Sequence, residues 1–118
     1  MQFLCLIYSD EAKAPQYGTP EFGELLQAYG AFSAEAGKAG VLEMGQALQP
    51  VATAKTVANR NGKLQKSDGP HAKTDEQLGG IYLLNCDDHD QALEYAGKIP
   101  TAKYGRVEVR PVMVFDRS

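Results

Sequence analysis

Tryptophan is absent from this 118-residue chain, and cysteine and histidine occur only twice each. A core must therefore be anchored by the six tyrosines and four phenylalanines together with aliphatic side chains. There is no Cys-x-x-Cys pair or other zinc-ligand spacing, no glycine-rich phosphate-binding pattern and no Ser-His-Asp motif. No apolar run approaches the roughly 20 residues needed to cross a bilayer as a helix, so no membrane partner is expected. The opening run Met1 to Tyr8 is too short for a signal peptide and lacks a basic lead and a small-residue cleavage site, which makes the cytoplasm the expected compartment. The formal net charge is −3 and the basic residues are scattered along the chain, which argues against nucleic acid as a partner. No cofactor is called for by any motif.

What remains is an ordinary globular mixture, with 43% hydrophobic and 23% charged residues, in a length that suits one domain over residues 1–118. Internal repeats, low-complexity tracts and interdomain linkers are missing. The two cysteines, Cys5 and Cys86, sit in apolar strand-like runs. They read as buried, reduced thiols, or as a pair if their strands are neighbours.

Gln2 to Tyr8 has the pattern of a strand buried on both faces, with Phe3, Cys5 and Ile7 on one side and Leu4, Leu6 and Tyr8 on the other. A polar loop follows. Thr19-Pro20-Glu21 then opens a helix with a hydroxyl cap, a proline at the first position and a carboxylate near the positive end of the dipole. Its apolar stripe is Phe22, Leu25, Leu26, Tyr29, Phe32, Ala36 and Ala39, closed by Gly40. Val41 to Leu48 reads as a strand ended by Pro50. Thr53 to Ala58 and Lys63 to Lys66 read as a polar hairpin around Asn61-Gly62, a pair suited to positive φ, and its polarity has it project from the main sheet or form its edge. Gly79 to Cys86 is a second strand apolar on both faces. Asp87 or Asp88 caps a helix whose inward residues are Ala92, Leu93, Ala96 and Ile99, bounded by Pro100. Arg106 to Phe115 reads as the last strand, with Val107 and Val109 alternating against Glu108 and Arg110.

This order predicts an α+β fold of the ferredoxin-like, split βαβ type with an inserted β-hairpin. Right-handed crossovers place both helices on one face of the sheet. The other face is then uncovered although two strands are apolar on both sides, and a homodimer is the economical way to cover it.

Three separated segments resemble the YCII-related family: Gly45-Gln46-Ala47-Leu48-Gln49-Pro50, the stretch from Ser67-Asp68-Gly69-Pro70-His71 to Leu78-Gly79-Gly80, and Tyr104-Gly105-Arg106-Val107-Glu108-Val109-Arg110-Pro111. The opening tyrosine-containing strand and Ala28-Tyr29-Gly30-Ala31-Phe32 fit the same pattern, so the resemblance spans essentially the whole chain. It is nearest to the branch named for an Asp-Gly-Pro-Phe (DGPF) motif. The resemblance implies a ferredoxin-like dimer of the dimeric α/β-barrel type. It also implies small-molecule enzymology such as lyase- or isomerase-like steps on ring compounds, or a link to extracytoplasmic-function sigma factors, beside whose genes those of the branch often lie. Two departures stand out: the name-giving Phe is His71 here, and the family's proposed His–Asp pair has no counterpart. The first helix has no histidine, and Ile99 precedes Pro100. Gln46 also replaces an acidic residue common in the family.

Asp68-Gly69-Pro70 forms a turn by composition alone. The functional reading has the Asp68 to Glu76 loop fold over a cleft, with His71 as proton carrier, Asp68 or Glu76 as its orienter and Thr74 as a ligand contact. Arg110 is the candidate anion clamp, unless it pairs with Glu108 or across a dimer. Tyr29 fits either core or pocket. Asp87-Asp88-His89-Asp90 reads as a helix start rather than a metal cluster, and no metal site is expected. The expected function is a small-molecule-binding homodimer, an acid–base enzyme if catalytic; the competing class is a ligand-sensing or protein-interaction module.

Overall fold

A computed structural model describes residues 1–115. Six strands, β1 (Gln2–Ser9), β2 (Leu42–Ala47), β3 (Lys55–Arg60), β4 (Lys63–Asp68), β5 (Gln77–Asn85) and β6 (Arg106–Pro111), join two α-helices, α1 (Pro20–Lys38) and α2 (His89–Gly97). Short 3₁₀ turns occupy Val51–Thr53 and Pro100–Lys103. The main sheet has the order β2-β5-β1-β6 with every neighbouring pair antiparallel, the topology of a ferredoxin-like fold. The hairpin β3–β4 is a separate two-stranded sheet inserted between β2 and β5.

Local chemistry explains the helices. Thr19 accepts a hydrogen bond from the Phe22 amide at 3.2 Å, and Pro20 costs nothing where its missing N–H would have no partner. The helix stops where Gly40 takes φ +74°, a conformation in which a Cβ would be strained. Asp88 caps α2 through the Gln91 amide at 2.8 Å, and the Gln91 side chain accepts from the Asp87 amide at 2.6 Å. The Asp87–Asp90 run is thus a helix start, and the His89 ring lies 5.2 Å from that of Phe3.

Both helices cover one face of the sheet. Beneath them Phe3, Cys5, Ile7, Tyr82 and Leu84 from the strands meet Phe32, Ala36, Ala92, Ala96 and Ile99. Two expected inward leucines are not there. Leu26 and Leu93 are 57% and 52% exposed, because each sits at the margin of its helix stripe, and half-buried Tyr95 packs on the core instead. Burial pushes the Cys5 thiol from its ordinary 9 to about 11, helped by the nearby Cys86, and also raises Cys86. Both cysteines are free thiols.

On the opposite face Leu4, Leu6, Ile81 and Leu83 are only half-buried and Met44 is exposed. The last strand is shorter than the sequence pattern predicts. It ends at Pro111 opposite Phe3, where β1 runs out, and Val112 to Phe115 extend past it exposed. β6 is also an edge strand, so Glu108 and Arg110 lie in solvent, not in a buried central strand.

The result is a slab with extents of 50 × 47 × 17 Å and a radius of gyration of 16.4 Å. A compact domain of this length would have a radius of about 13.5 Å. The excess comes from the thin sheet-and-helix layer and from the hairpin standing apart from it. Among the described residues, no helix is long and apolar enough to cross a membrane.

Candidate functional site

The end of β1 is where the sheet and the inserted segments meet. Pairing with β5 slips between Ile7 and Tyr8, so that Ile7 faces Gly80 and Tyr8 faces Leu78. This irregularity turns Tyr8 at the strand end. Gly105 packs against the Tyr8 carbonyl so closely that a Cβ would overlap it, which fixes Tyr8 from behind.

Three tethers hold the wall facing Tyr8. The Leu48 amide donates to the Gly79 carbonyl at 2.9 Å, and the Val51 amide donates to Glu11 Oε2 at 2.8 Å. The Gly69 amide donates to the Ala54 carbonyl at 2.7 Å, with the Thr56 hydroxyl on the Gly69 carbonyl at 2.8 Å. Between these tethers lies a cleft of about 470 Å³, walled by Tyr8, Leu48, Pro50, Pro70, Thr74 and Leu78 among others. That volume falls in the range of small-molecule sites, about 300–1,000 Å³. A wider, shallower concavity of about 690 Å³ adjoins it, lined by Asp75, Glu76, Arg106 and Glu108. Tyr8 and Thr74 belong to both.

The residues singled out from sequence are distributed unevenly around this place. Thr74 lies in the wall, its hydroxyl donating to the Glu76 carbonyl at 2.5 Å. Glu76 is at the rim, where its Oε1 accepts from Arg106 Nε at 2.9 Å. His71 is exposed and stands between Pro70 and Ala72, both of which line the cleft that His71 itself does not line. Asp68 sits at the foot of the hairpin in a 3.0 Å ion pair with Lys55, its side chain 90% exposed. No hydrogen bond joins His71 to Asp68 or Glu76 among the described residues.

Arg110 lies on the open sheet face, 3.8 Å from Glu108, and lines neither concavity. The arginine beside the cleft is Arg106, at the other end of the same strand. Tyr29 is on the helix side, where it shares a 2.5 Å hydrogen bond with Thr101 and stacks 6.3 Å from Tyr82. Burial raises its phenol pKa, offset in part by the Thr101 hydroxyl. It is packed against the core and lines neither concavity.

Sequence reasoning missed Tyr8, Leu78 and Arg106 as site residues. Tyr8 and Arg106 were placed on strands and Leu78 just before one, and only the register brings these strand ends together. The Leu48 to Ala54 wall carried one usable signal, Pro50, which ends a strand and starts a turn.

An antiparallel four-stranded sheet in the order β2-β5-β1-β6, with both helices on one face and a cleft at the strand ends, defines a ferredoxin-like α+β domain. The chain belongs to the YCII-related family, whose domain pattern matches residues 1–116. It is also 32% identical over 117 residues to an uncharacterised protein of Rhizobium meliloti (strain 1021), which covers 98% of this chain and 94% of that one.

Proposed function

We propose that the protein is a homodimer that binds a small organic molecule in the cleft between Tyr8 and the Asp68–Glu76 loop. The observation that carries the binding reading is the cleft itself. It has a ligand-sized volume, largely apolar walls, and a few placed polar groups in Tyr8, Thr74 and Gln77. The Glu76–Arg106 pair at its rim leaves the terminal guanidinium nitrogens of Arg106 for a polar substituent of the ligand.

Dimerisation is supported by the surface. The chain exposes 8616 Å². A folded monomer of this mass is expected to expose about 6,300 Å². The excess, about 2,300 Å², is of the size that one subunit buries in an obligate dimer. The open sheet face with Leu4, Leu6, Ile81 and Leu83 is the apolar part of that excess.

A catalytic version of this reading is favoured by one placement. His71 is bracketed by two residues of the cleft wall, so a rotation of the loop carries its imidazole to a bound ligand. Glu76, five residues on, is then its carboxylate partner, and the chemistry is cofactor-free proton transfer of the isomerase or lyase type.

The test is a fragment screen read by amide chemical shifts. Fragments that bind in the cleft are expected to shift the Tyr8, Thr74 and Leu78 amides, and Tyr8→Ala is expected to weaken them about tenfold, through a contact worth about 1.4 kcal/mol. Hits that ignore these amides, or that bind Tyr8→Ala undiminished, would sink the assignment. Turnover of a bound compound that survives His71→Asn would remove the catalytic version alone.

A further inference from the structure

Among the described residues, no element covers the β3–β4 hairpin. Its strands pair with each other through six residues each, from Lys55↔Asp68 to Arg60↔Lys63, and close in the two-residue turn Asn61-Gly62, where φ is +54° and +81°. They form a sheet of their own and do not join the main one. A two-stranded hairpin alone in water is marginal, so this one needs a surface to lie on.

Its composition says which kind. Four of the twelve basic residues lie here: Lys55, Arg60, Lys63 and Lys66 stand against one acidic residue, Asp68. The rest of the chain has the opposite balance, 14 acidic residues and 8 basic. On the hairpin face that carries Lys55 and Lys66, Val57 and Leu64 are 62% and 58% exposed. An apolar centre inside a basic rim is the make-up of a protein-binding surface, and a phosphate-backbone binder has no use for the two aliphatic side chains.

We infer that the β3–β4 hairpin is an arm that docks on the acidic body of a second copy of this chain, with Val57 and Leu64 as anchors and Lys55 and Lys66 as its charged rim. The inference rests on the homodimer proposed above and deepens it. Each copy carries both the basic arm and the acidic body, so two-fold symmetry satisfies both arms at once. The area in excess of a monomer's surface is large enough to include the arms as well as the sheet face. Ala54 and Pro70, at the two roots of the arm, also line the cleft, so the partner's grip on the arm sets the position of those walls.

The experiment is sedimentation equilibrium of the intact protein at low and high salt, with folding checked by circular dichroism. Lys55→Glu/Lys66→Glu is compared with Lys38→Glu/Lys103→Glu, an exposed pair off the hairpin that changes net charge by the same amount. The hairpin pair is expected to weaken the dimer at least tenfold more than the control and to flatten its salt dependence. Val57→Asp/Leu64→Asp is expected to weaken it at both salts. A monomeric wild-type protein would overturn the homodimer and the arm together. A wild-type dimer that both hairpin variants leave as tight as the control overturns the arm alone. So does a wild-type dimer whose hairpin variants lose binding to a DNA duplex but not self-association, which would reassign the arm to nucleic acid.

Discussion

Cys5 is fully buried between the sheet and the helices, and its thiol titrates near 11 where an unfolded chain titrates near 9. Below pH 9 both states hold the proton and the group makes no difference to stability. Between 9 and 11 the unfolded state loses the proton first, so stability falls as pH rises through that window. Cys86 and Tyr29, also raised by burial, act in the same direction. Denaturant titrations are expected to show a midpoint that declines from pH 9 to 11, and Cys5→Ala is expected to make the decline shallower. An unchanged slope in Cys5→Ala would show that the thiol ionises freely in the folded protein. At this scale the sequence was legible for packing and poorly legible for the site. Phe3, Cys5 and Ile7 were identified as one face of a strand and are buried together. Asp68 and Arg110 were singled out for chemistry because charge in a patterned segment attracts notice, yet both lie in exposed ion pairs. Tyr8 looked like one more strand aromatic, since nothing in its neighbours along the chain shows that the ladder slips beside it.

The elements follow their caps. Thr19, Pro20 and Gly40 delimit α1, and Asp88 delimits the start of α2, because these residues satisfy or release backbone groups that the helix itself leaves unpaired. Asp88→Ala is expected to destabilise the fold by about 1 kcal/mol, the usual worth of a side-chain cap, measured as a lowered urea midpoint at unchanged slope. Asp88→Asn, which keeps the acceptor, should recover most of the loss; a loss of equal size in both variants would point to charge at the helix dipole instead of the hydrogen bond. Strand ends were harder to place than helix ends. The alternation from Arg106 continues in apolar residues to Phe115, but a strand exists only where it has a partner, and beyond Phe3 β1 offers only the Gln2 carbonyl, which accepts from the Val112 amide at 2.9 Å. The hairpin was legible through Asn61-Gly62. Its polar strands also marked it as projecting from the main sheet or forming its edge, and it forms a two-stranded sheet of its own.

At the scale of the whole molecule, the ferredoxin-like order of strands could be read before any coordinates, since two apolar strands, two capped helices and short connections leave few alternatives. The open face could be read too, from Leu4, Leu6, Ile81 and Leu83 alternating with the buried set. A slab 17 Å thick has a core on one side of its sheet only. Leu6→Arg, in the middle of the open face, is therefore expected to give a folded but monomeric protein, with a thermal midpoint that no longer rises with protein concentration as the wild type's should. A Leu6→Arg dimer as tight as the wild type would move the interface elsewhere.

The roots of the hairpin bring these scales together. Ala54 and Pro70 are at once wall of the cleft and base of the arm. In the proposed dimer, a molecule that fixed those walls would also fix the direction in which the arm points, so occupancy and assembly would be linked by one coupling free energy. By reciprocity, whatever factor association adds to affinity, affinity returns to association. Such a protein would act as a concentration gauge, reporting the abundance of its small molecule in the fraction of chains that are paired.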